Sequence, residues 1–212
     1  SYAVSALTGP IENTTFAVTV VDLGNNKYVI DGAYTGNTRG LFAGGIVSSV
    51  TDTIQYIDIP STGNTTDFGN LSESKYGVSA LASSVRGVFS GGSPGGGSNQ
   101  RNTIEYVNIA STGNVTDFGD LTVARWISTS TSNATRGLTI GGDTGSQSNV
   151  IDYITIASTG NATDFGNLLA ANQEVGSTAS STRAVFGGGY TSGGSSNVMQ
   201  YVTIASAGNA SD

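Results

Sequence analysis

Apolar residues in this chain come in short runs. One run, "GLFAGG" at 40–45 and "GVFSGG" at 87–92, closes on a Gly pair. Apolar neighbours on both faces predict a strand sandwiched between two layers, and the Gly pair predicts a bend or a close backbone approach where a side chain would clash. The next run, "TIQYIDI", "TIEYVNI", "VIDYITI" and "VMQYVTI", is rich in β-branched and aromatic residues and predicts a second strand. A turn follows, "STGN" three times and "SAGN" once, in which Gly and Asn suit positive φ. "TTDFGNL", "VTDFGDL" and "ATDFGNL" predict a third strand, and the segments around "VSALASS", "ISTSTSN" and "GSTASSTR" a weaker fourth.

The runs recur as a unit. Arg39, Arg86, Arg136 and Arg183 are 47, 50 and 47 residues apart, and Tyr56, Tyr106, Tyr153 and Tyr201 are 50, 47 and 48 apart. A period of this size signals a solenoid, a propeller or another array. From each Arg to the last Gly of its phrase, Gly45, Gly92, Gly142 or Gly189, is always 6 residues; from each Tyr to Asp67, Asp117, Asp164 or Asp212 is always 11. From the first three of those Asp to the next Arg is always 19, whereas the stretch from Gly to Tyr runs to 11, 14, 11 and 12 residues. The expectation is a rigid framework with one adjustable loop per unit. Four short strands at this period predict propeller blades. The organisation read from the chain is all-β: an N-terminal β segment, 1–38, that closes or attaches the array, then four visible repeats of about 48 residues, 39–85, 86–135, 136–182 and an incomplete 183–212.

Within "ARWISTSTSNATRGLTIGGDTGSQSNVIDYITIASTGNATDFGNL" at 124–168, Arg125, Gly141, Gly142, Tyr153 and Phe165 follow one another in the order of a kelch repeat. The units resemble kelch repeats over residues 39–212. They depart from that pattern in carrying Phe68, Phe118 and Phe165 where the family typically has Trp, and in reading Lys75, Arg125 and then Asn172 at the early basic position. The resemblance implies a kelch-like β-propeller whose blades pack on both faces against their neighbours. Four units are fewer than a usual closed ring holds. With Ser1 in place of an initiator Met and a last unit that stops at "AGNASD", the expectation is an incomplete ring or a fragment of a longer protein. "TIASTGNATDFGNL" and "NKYVIDG" also resemble repeats in tail-fibre and other structural proteins of marine bacteriophages.

Composition narrows the chemistry. Charged residues make up 11% of the chain, with 31 Gly and abundant Ser, Thr and Asn, so hydroxyls and amides carry the polar surface, as expected of a virion surface or another extracellular setting. A formal charge of −7 gives no basic footprint for nucleic acid. The absence of Cys and His removes disulfides, thiolate sites, the commonest general base and the commonest transition-metal ligand, so no enzyme and no cofactor is expected. No apolar run is long enough to insert into a membrane as a helix.

Several motifs have bland readings. "DFG" at 67–69, 117–119 and 164–166 spells a kinase metal motif, but without His there is no H-R-D loop, and three copies at one repeat position mean structure, with Asp capping local amides. "GGSPGGGS" and "FGGGYTSGGSS" lack the P-loop Lys and read as flexible loops. Asn64, Asn114 and Asn161 sit in acceptor sequences for glycans but share one turn position, which explains them without glycosylation; Asn133 is a fourth such site. Asp52 and Asp143 belong to no calcium ligand ladder, so no metal is expected. Trp126 reads as a partly buried strand-entry residue or a stacking platform.

The repeat positions Arg39, Arg86, Arg136, Arg183, Gly45, Gly92, Gly142, Gly189, Tyr56, Tyr106, Tyr153 and Tyr201 are expected to be structural, each Arg pairing with Asp67, Asp117 or Asp164 or with backbone carbonyls. The alternative is an Arg ring for an anionic glycan. Specificity is placed in the variable loops, 46–53, 93–103, 143–149 and 190–197, with Ser98, Asn99, Gln100, Arg101, Asp143, Gln147, Asn149, Tyr190 and Asn197 as candidate ligand contacts, a set suited to sugar hydroxyls. The function expected is a non-enzymatic tail-fibre or virion-appendage segment that binds a host-surface glycan or protein, with other virion or filament subunits as partners and a homo-oligomeric state. An extracellular adhesin or self-assembling filament subunit is the alternative. A glycan-active enzyme working through paired carboxylates is the least favoured.

Overall fold

The computed structural model describes residues 16–22, 28–34, 39–95 and 99–212, and these are all-β, without helix. The chain divides into two compact units, Ser1–Thr38 and Arg39–Asp212. In the first, β1 (Phe16–Asp22) and β2 (Tyr28–Tyr34) pair antiparallel, Phe16 with Tyr34 and Asp22 with Tyr28.

The second unit is a succession of four antiparallel sheets of three or four strands, each ordered as its strands follow in the chain, plus one two-stranded hairpin inserted in the last. The first holds β3 (Arg39–Ala43), β4 (Thr53–Asp58) and β5 (Thr66–Asn70). The second holds β6 (Ser79–Ala82), β7 (Arg86–Ser90), β8 (Thr103–Asn108) and β9 (Thr116–Asp120). The third repeats that order with β10 (Thr129–Ser132), β11 (Arg136–Ile140), β12 (Ser148–Thr155) and β13 (Thr163–Asn172). The fourth holds β14 (Gly176–Ala179), β15 (Arg183–Gly187) and β18 (Met199–Thr203), with a separate two-stranded hairpin of β16 (Tyr190–Thr191) and β17 (Gly194–Ser195) between β15 and β18 in the chain. Ser211 bridges Tyr201 just as Thr116 pairs with Tyr106 in β9.

Period-2 alternation gives the second and third sheets two buried faces each, because successive side chains point to opposite sides. In β8, Ile104 joins a core with Val88, Phe118 and Ile154 of the third sheet, while Val107 joins another with Phe89 and Ile54 of the first. A third core, with Leu138, Ile151, Phe186 and Ile204, lies between the third and fourth sheets. Burying each such side chain contributes about 1.5–3 kcal/mol, so the apolar runs on both faces of these strands are what hold sheet to sheet.

The segments 79–82, 129–132 and 176–179, which close repeats in the sequence, open sheets in the fold. They are joined to the following Arg strand by tight turns, closed by bonds such as Ser83 N–H to the Arg86 carbonyl at 2.9 Å, whereas 71–78 must cross from one sheet to the next. Their small polar residues fit this position. Between β6–β7 and β10–β11, the hydroxyls of Ser79, Ser90, Thr139 and Ser130 form a closed ring of hydrogen bonds of 2.9, 3.2, 3.0 and 2.9 Å. Thr139 occupies the phrase position that is Phe in the other three repeats.

The third strand of the first three repeats is irregular at one shared point. Register shifts fall between Ile54 and Gln55, Ile104 and Glu105, and Ile151 and Asp152, opposite Phe68, Phe118 and Phe165. "DFG" is thus a β-bulge, which adds one residue and turns the Phe into the core, where each is 2% exposed.

Candidate functional site

The repeat positions fasten one sheet to the next. Each phrase Arg lies over its repeat's Tyr ring, with Cζ 4.5, 4.4, 4.3 and 4.2 Å from the centroids of Tyr56, Tyr106, Tyr153 and Tyr201. Three of these Tyr rings meet the bulge Phe edge to face at 5.9, 5.9 and 6.0 Å. From that stack the guanidinium reaches across: Arg39 Nη1 donates to the Ile109 carbonyl at 3.0 Å, Arg86 to Ile156 at 2.9 Å and Arg136 to Ile204 at 2.8 Å. Among the described residues the phrase Arg side chains make no ion pair with Asp67, Asp117 or Asp164; Arg39 stands 3.8 Å from Asp58.

A second fastener joins the bulge to the next repeat's turn. Gly113 N–H donates to the Phe68 carbonyl, Gly160 to Phe118 and Gly208 to Phe165, each at 2.7 Å. The turn Asn then accepts on Oδ1 from the backbone N–H of Asn70, Asp120 or Asn167, each at 3.0 Å. A Cβ on Gly69, Gly119 or Gly166 would overlap the backbone of the facing turn. The glycan-acceptor spelling at Asn114 and Asn161 therefore coincides with a side chain already engaged.

A third fastener is buried and charged. Lys75 and Glu105 pair at 2.7 Å, Arg125 and Asp152 at 2.6 Å, with all four side chains at most 3% exposed. Burial pushes the Arg125 guanidinium below its ordinary pKa, and the Asp152 carboxylate opposes that shift. At the third junction the equivalent residues are Asn172 and Gln200, so both charges are replaced together. The acceptor's constant task is to cap the N–H of the residue after the bulge strand's Leu: Glu105 caps Ser72, Asp152 caps Thr122 and Gln200 caps Leu169.

The variable loops leave this frame through a constant neck. Both Gly of each pair have positive φ, from 59° to 108°. The second Gly's N–H in three phrases donates to the carbonyl of Lys75, Arg125 or Asn172, for Gly45, Gly92 and Gly142 at 2.9–3.0 Å. Its carbonyl closes the loop in all four, accepting from the N–H of Thr51, Arg101, Ser148 or Ser196 at 2.8–3.0 Å. The same two hydrogen bonds thus hold whether the loop is short or long. The residue after the second Gly forms a two-way bridge with the preceding linker: Ser93 with Tyr76, Asp143 with Trp126, Tyr190 with Gln173. Linkers are in turn joined by Ile127 N–H to the Gly77 carbonyl at 2.8 Å and Glu174 N–H to Ile127 at 3.2 Å. Gly77, Ile127 and Glu174 all have positive φ at this position, which for β-branched Ile127 is strained.

Below the loops, then, runs a row of Tyr76, Trp126 and Gln173. Tyr76 and Trp126 meet edge to face at 5.2 Å. Trp126 Nε1 and Gln173 Oε1 are buried and meet no hydrogen-bond partner among the described residues.

No protein-family model matches the chain, and no curated protein matches it.

The sequence candidates fall into three groups around these necks. In the second loop, Arg101 makes a two-pronged pair with Glu73 at 2.6 and 3.1 Å, which holds its guanidinium above the ordinary pKa. Its Nη1 donates to the Asn99 carbonyl at 3.2 Å, and Gln100 is half-buried beside it. Ser98 lies outside the described residues. In the third loop Asp143 bridges Gln147 and accepts from Gly145 N–H at 2.6 Å, while Asn149 is exposed on β12 and not in the loop. In the fourth, Tyr190 opens the β16–β17 hairpin and is exposed, as is Asn197. Trp126 is half-buried. Glu73, Tyr76 and Gln173 were not anticipated. Their signal is positional: Tyr76, Trp126 and Gln173 each follow the early basic position directly.

Proposed function

We propose that this chain is a non-enzymatic structural and recognition protein, a run of kelch-like β-propeller blades in a phage tail fibre or similar virion appendage, which presents its loops to a host-surface glycan. The observation that carries this reading is the neck: two backbone hydrogen bonds from one Gly hold loops of different length and composition, so loop content is free to change while the scaffold is not. Loop residues such as Gln147, Tyr190 and Asn197 offer the amides and aromatic ring that bind sugar hydroxyls and sugar faces, above a linker row containing Trp126 and Tyr76. The buried ionisable side chains Lys75, Glu105, Arg125 and Asp152 are engaged in holding sheets together, which supports a role without catalysis.

The test is a glycan array probed with the 212-residue chain and with Tyr190→Ala and Gln147→Ala variants, alongside thermal melts. Binding that falls at least tenfold in a variant of unchanged Tm supports the reading. Binding to no glycan, or binding unaffected by the loop changes, overturns it.

A further inference from the structure

Three junctions in Arg39–Asp212 are built alike, and the two outermost sheets each present one half of the same junction. Across the third junction, Leu138 and Ile151 pack against Phe186, Val202 and Ile204. The matching positions on the outward face of the fourth sheet are Val185 and Met199, and on the outward face of the first sheet Phe42, Ile57 and Ile59. Met199 is 58% exposed, whereas its equivalents Ile54, Ile104 and Ile151 are at most 1%. Phe42 is 56% exposed against 2% for Phe89 and 0% for Phe186; Ile59 is 66% exposed against 5%, 1% and 0% for Ile109, Ile156 and Ile204. The polar half matches too. Arg183 stacks on Tyr201 in the pose of the other three Arg, but no carbonyl acceptor meets its guanidinium among the described residues, while the carbonyl those Arg use in the next repeat corresponds to that of Ile59.

We infer that the fourth sheet of one chain docks on the first sheet of a second copy, head to tail, repeating the internal junction: Val185 and Met199 cover Phe42, Ile57 and Ile59, and Arg183 donates to the Ile59 carbonyl. A heterologous contact of this kind closes into a ring or extends as a filament. The partner is a second copy because the surface each face needs is the one the opposite face carries. This inference does not depend on glycan binding.

The chain has no Cys, so cross-linking gives a clean test. Leu81 sits where a Cβ on Gly137 would meet it; the equivalent residues at the outer faces are Thr178 and Gly40. The double variant Thr178→Cys, Gly40→Cys, oxidised in solution, is expected to give covalent dimers or a ladder, whereas either single variant gives none. Light scattering on the unaltered chain is expected to show a mass of at least twice 21.4 kDa, and Met199→Asp with Ile59→Asp, both at exposed positions, to return it to monomer with an unchanged circular dichroism spectrum. A monomer at all concentrations without cross-links overturns the inference. So does a cross-link that stays within one chain, a dimer formed by Gly40→Cys alone, or an assembly that the Asp variants leave intact.

Discussion

Arg136 lies over the ring of Tyr153, 4.3 Å from its centroid, and from there donates a 2.8 Å hydrogen bond to the carbonyl of Ile204 in the next sheet. Arg183 has the equivalent ring beneath it, Tyr201 at 4.2 Å, without a carbonyl acceptor among the described residues. The pair separates stacking from the cross-sheet bond. Arg136→Ala is expected to lower stability by about 2–4 kcal/mol, the sum of a cation–π contact and a charge-assisted hydrogen bond, and Arg183→Ala by no more than about 1 kcal/mol. Urea unfolding at a concentration where the chain is monomeric measures both. Equal losses would show that the carbonyl bond adds nothing.

Gly119 and Gly160 give a matched comparison of a different kind. Both have positive φ, 146° and 153°, so Ala is strained at either. A Cβ on Gly119 would run into the backbone of Gly160 and Asn161, while one on Gly160 would meet nothing within 4 Å. Gly119→Ala is therefore expected to cost about 1–3 kcal/mol more than Gly160→Ala, the range for forcing extra atoms into a packed site. Melting temperatures of the two variants decide it; similar Tm values would mean that the turn moves aside freely.

The buried pair Arg125–Asp152 can be rewritten in the chain's own terms. Arg125→Asn or Asp152→Gln alone disrupts the pair and leaves an unmatched buried charge, which costs about 3–5 kcal/mol. Together they install the Asn and Gln of the third junction. The double variant is expected to be more stable than the sum of the single losses predicts by at least about 1 kcal/mol. Strict additivity in a double-mutant cycle would refute coupling between the two positions.

The all-β class, the unit length and the place of the adjustable loop were legible because backbone needs leave one-letter marks. Two successive positive-φ residues demand Gly–Gly, and a strand buried on both faces demands adjacent apolar residues such as Val88 and Phe89. What crosses between repeats was harder to see. The first strand of the second, third and fourth sheets is spelled "SALA", "TSTS" and "GSTA", and its small polar residues look like loop text until the hydroxyl ring of Ser79, Ser90, Thr139 and Ser130 shows that they are interior. Its assignment to the following sheet also follows from a turn, 83–85, rather than from any letter. Lys75 and Glu105 are thirty residues apart in sequence and meet only because the linker 71–78 steps from one sheet to the next. Their partnership is nonetheless written in the way the two positions change together, to Arg and Asp and then to Asn and Gln.

Fasteners here run from each repeat to its successor: Arg136 to Ile204, Gly160 to Phe118, Arg125 to Asp152. A gene encoding such a chain has two tolerated ways to change length. Residues can enter between the second Gly and the N–H that closes its neck, as between Gly92 and Arg101. A whole repeat can be duplicated or lost, because every junction shares the Arg-to-carbonyl and turn-to-bulge fittings. One residue added between a bulge and the following Arg has neither outlet, since it would pull Arg, Gly pair and linker out of step at once. Lineages of this protein are therefore expected to differ by entire cassettes and by loop inserts, and to hold the nineteen-residue step from Asp117 to Arg136 unchanged.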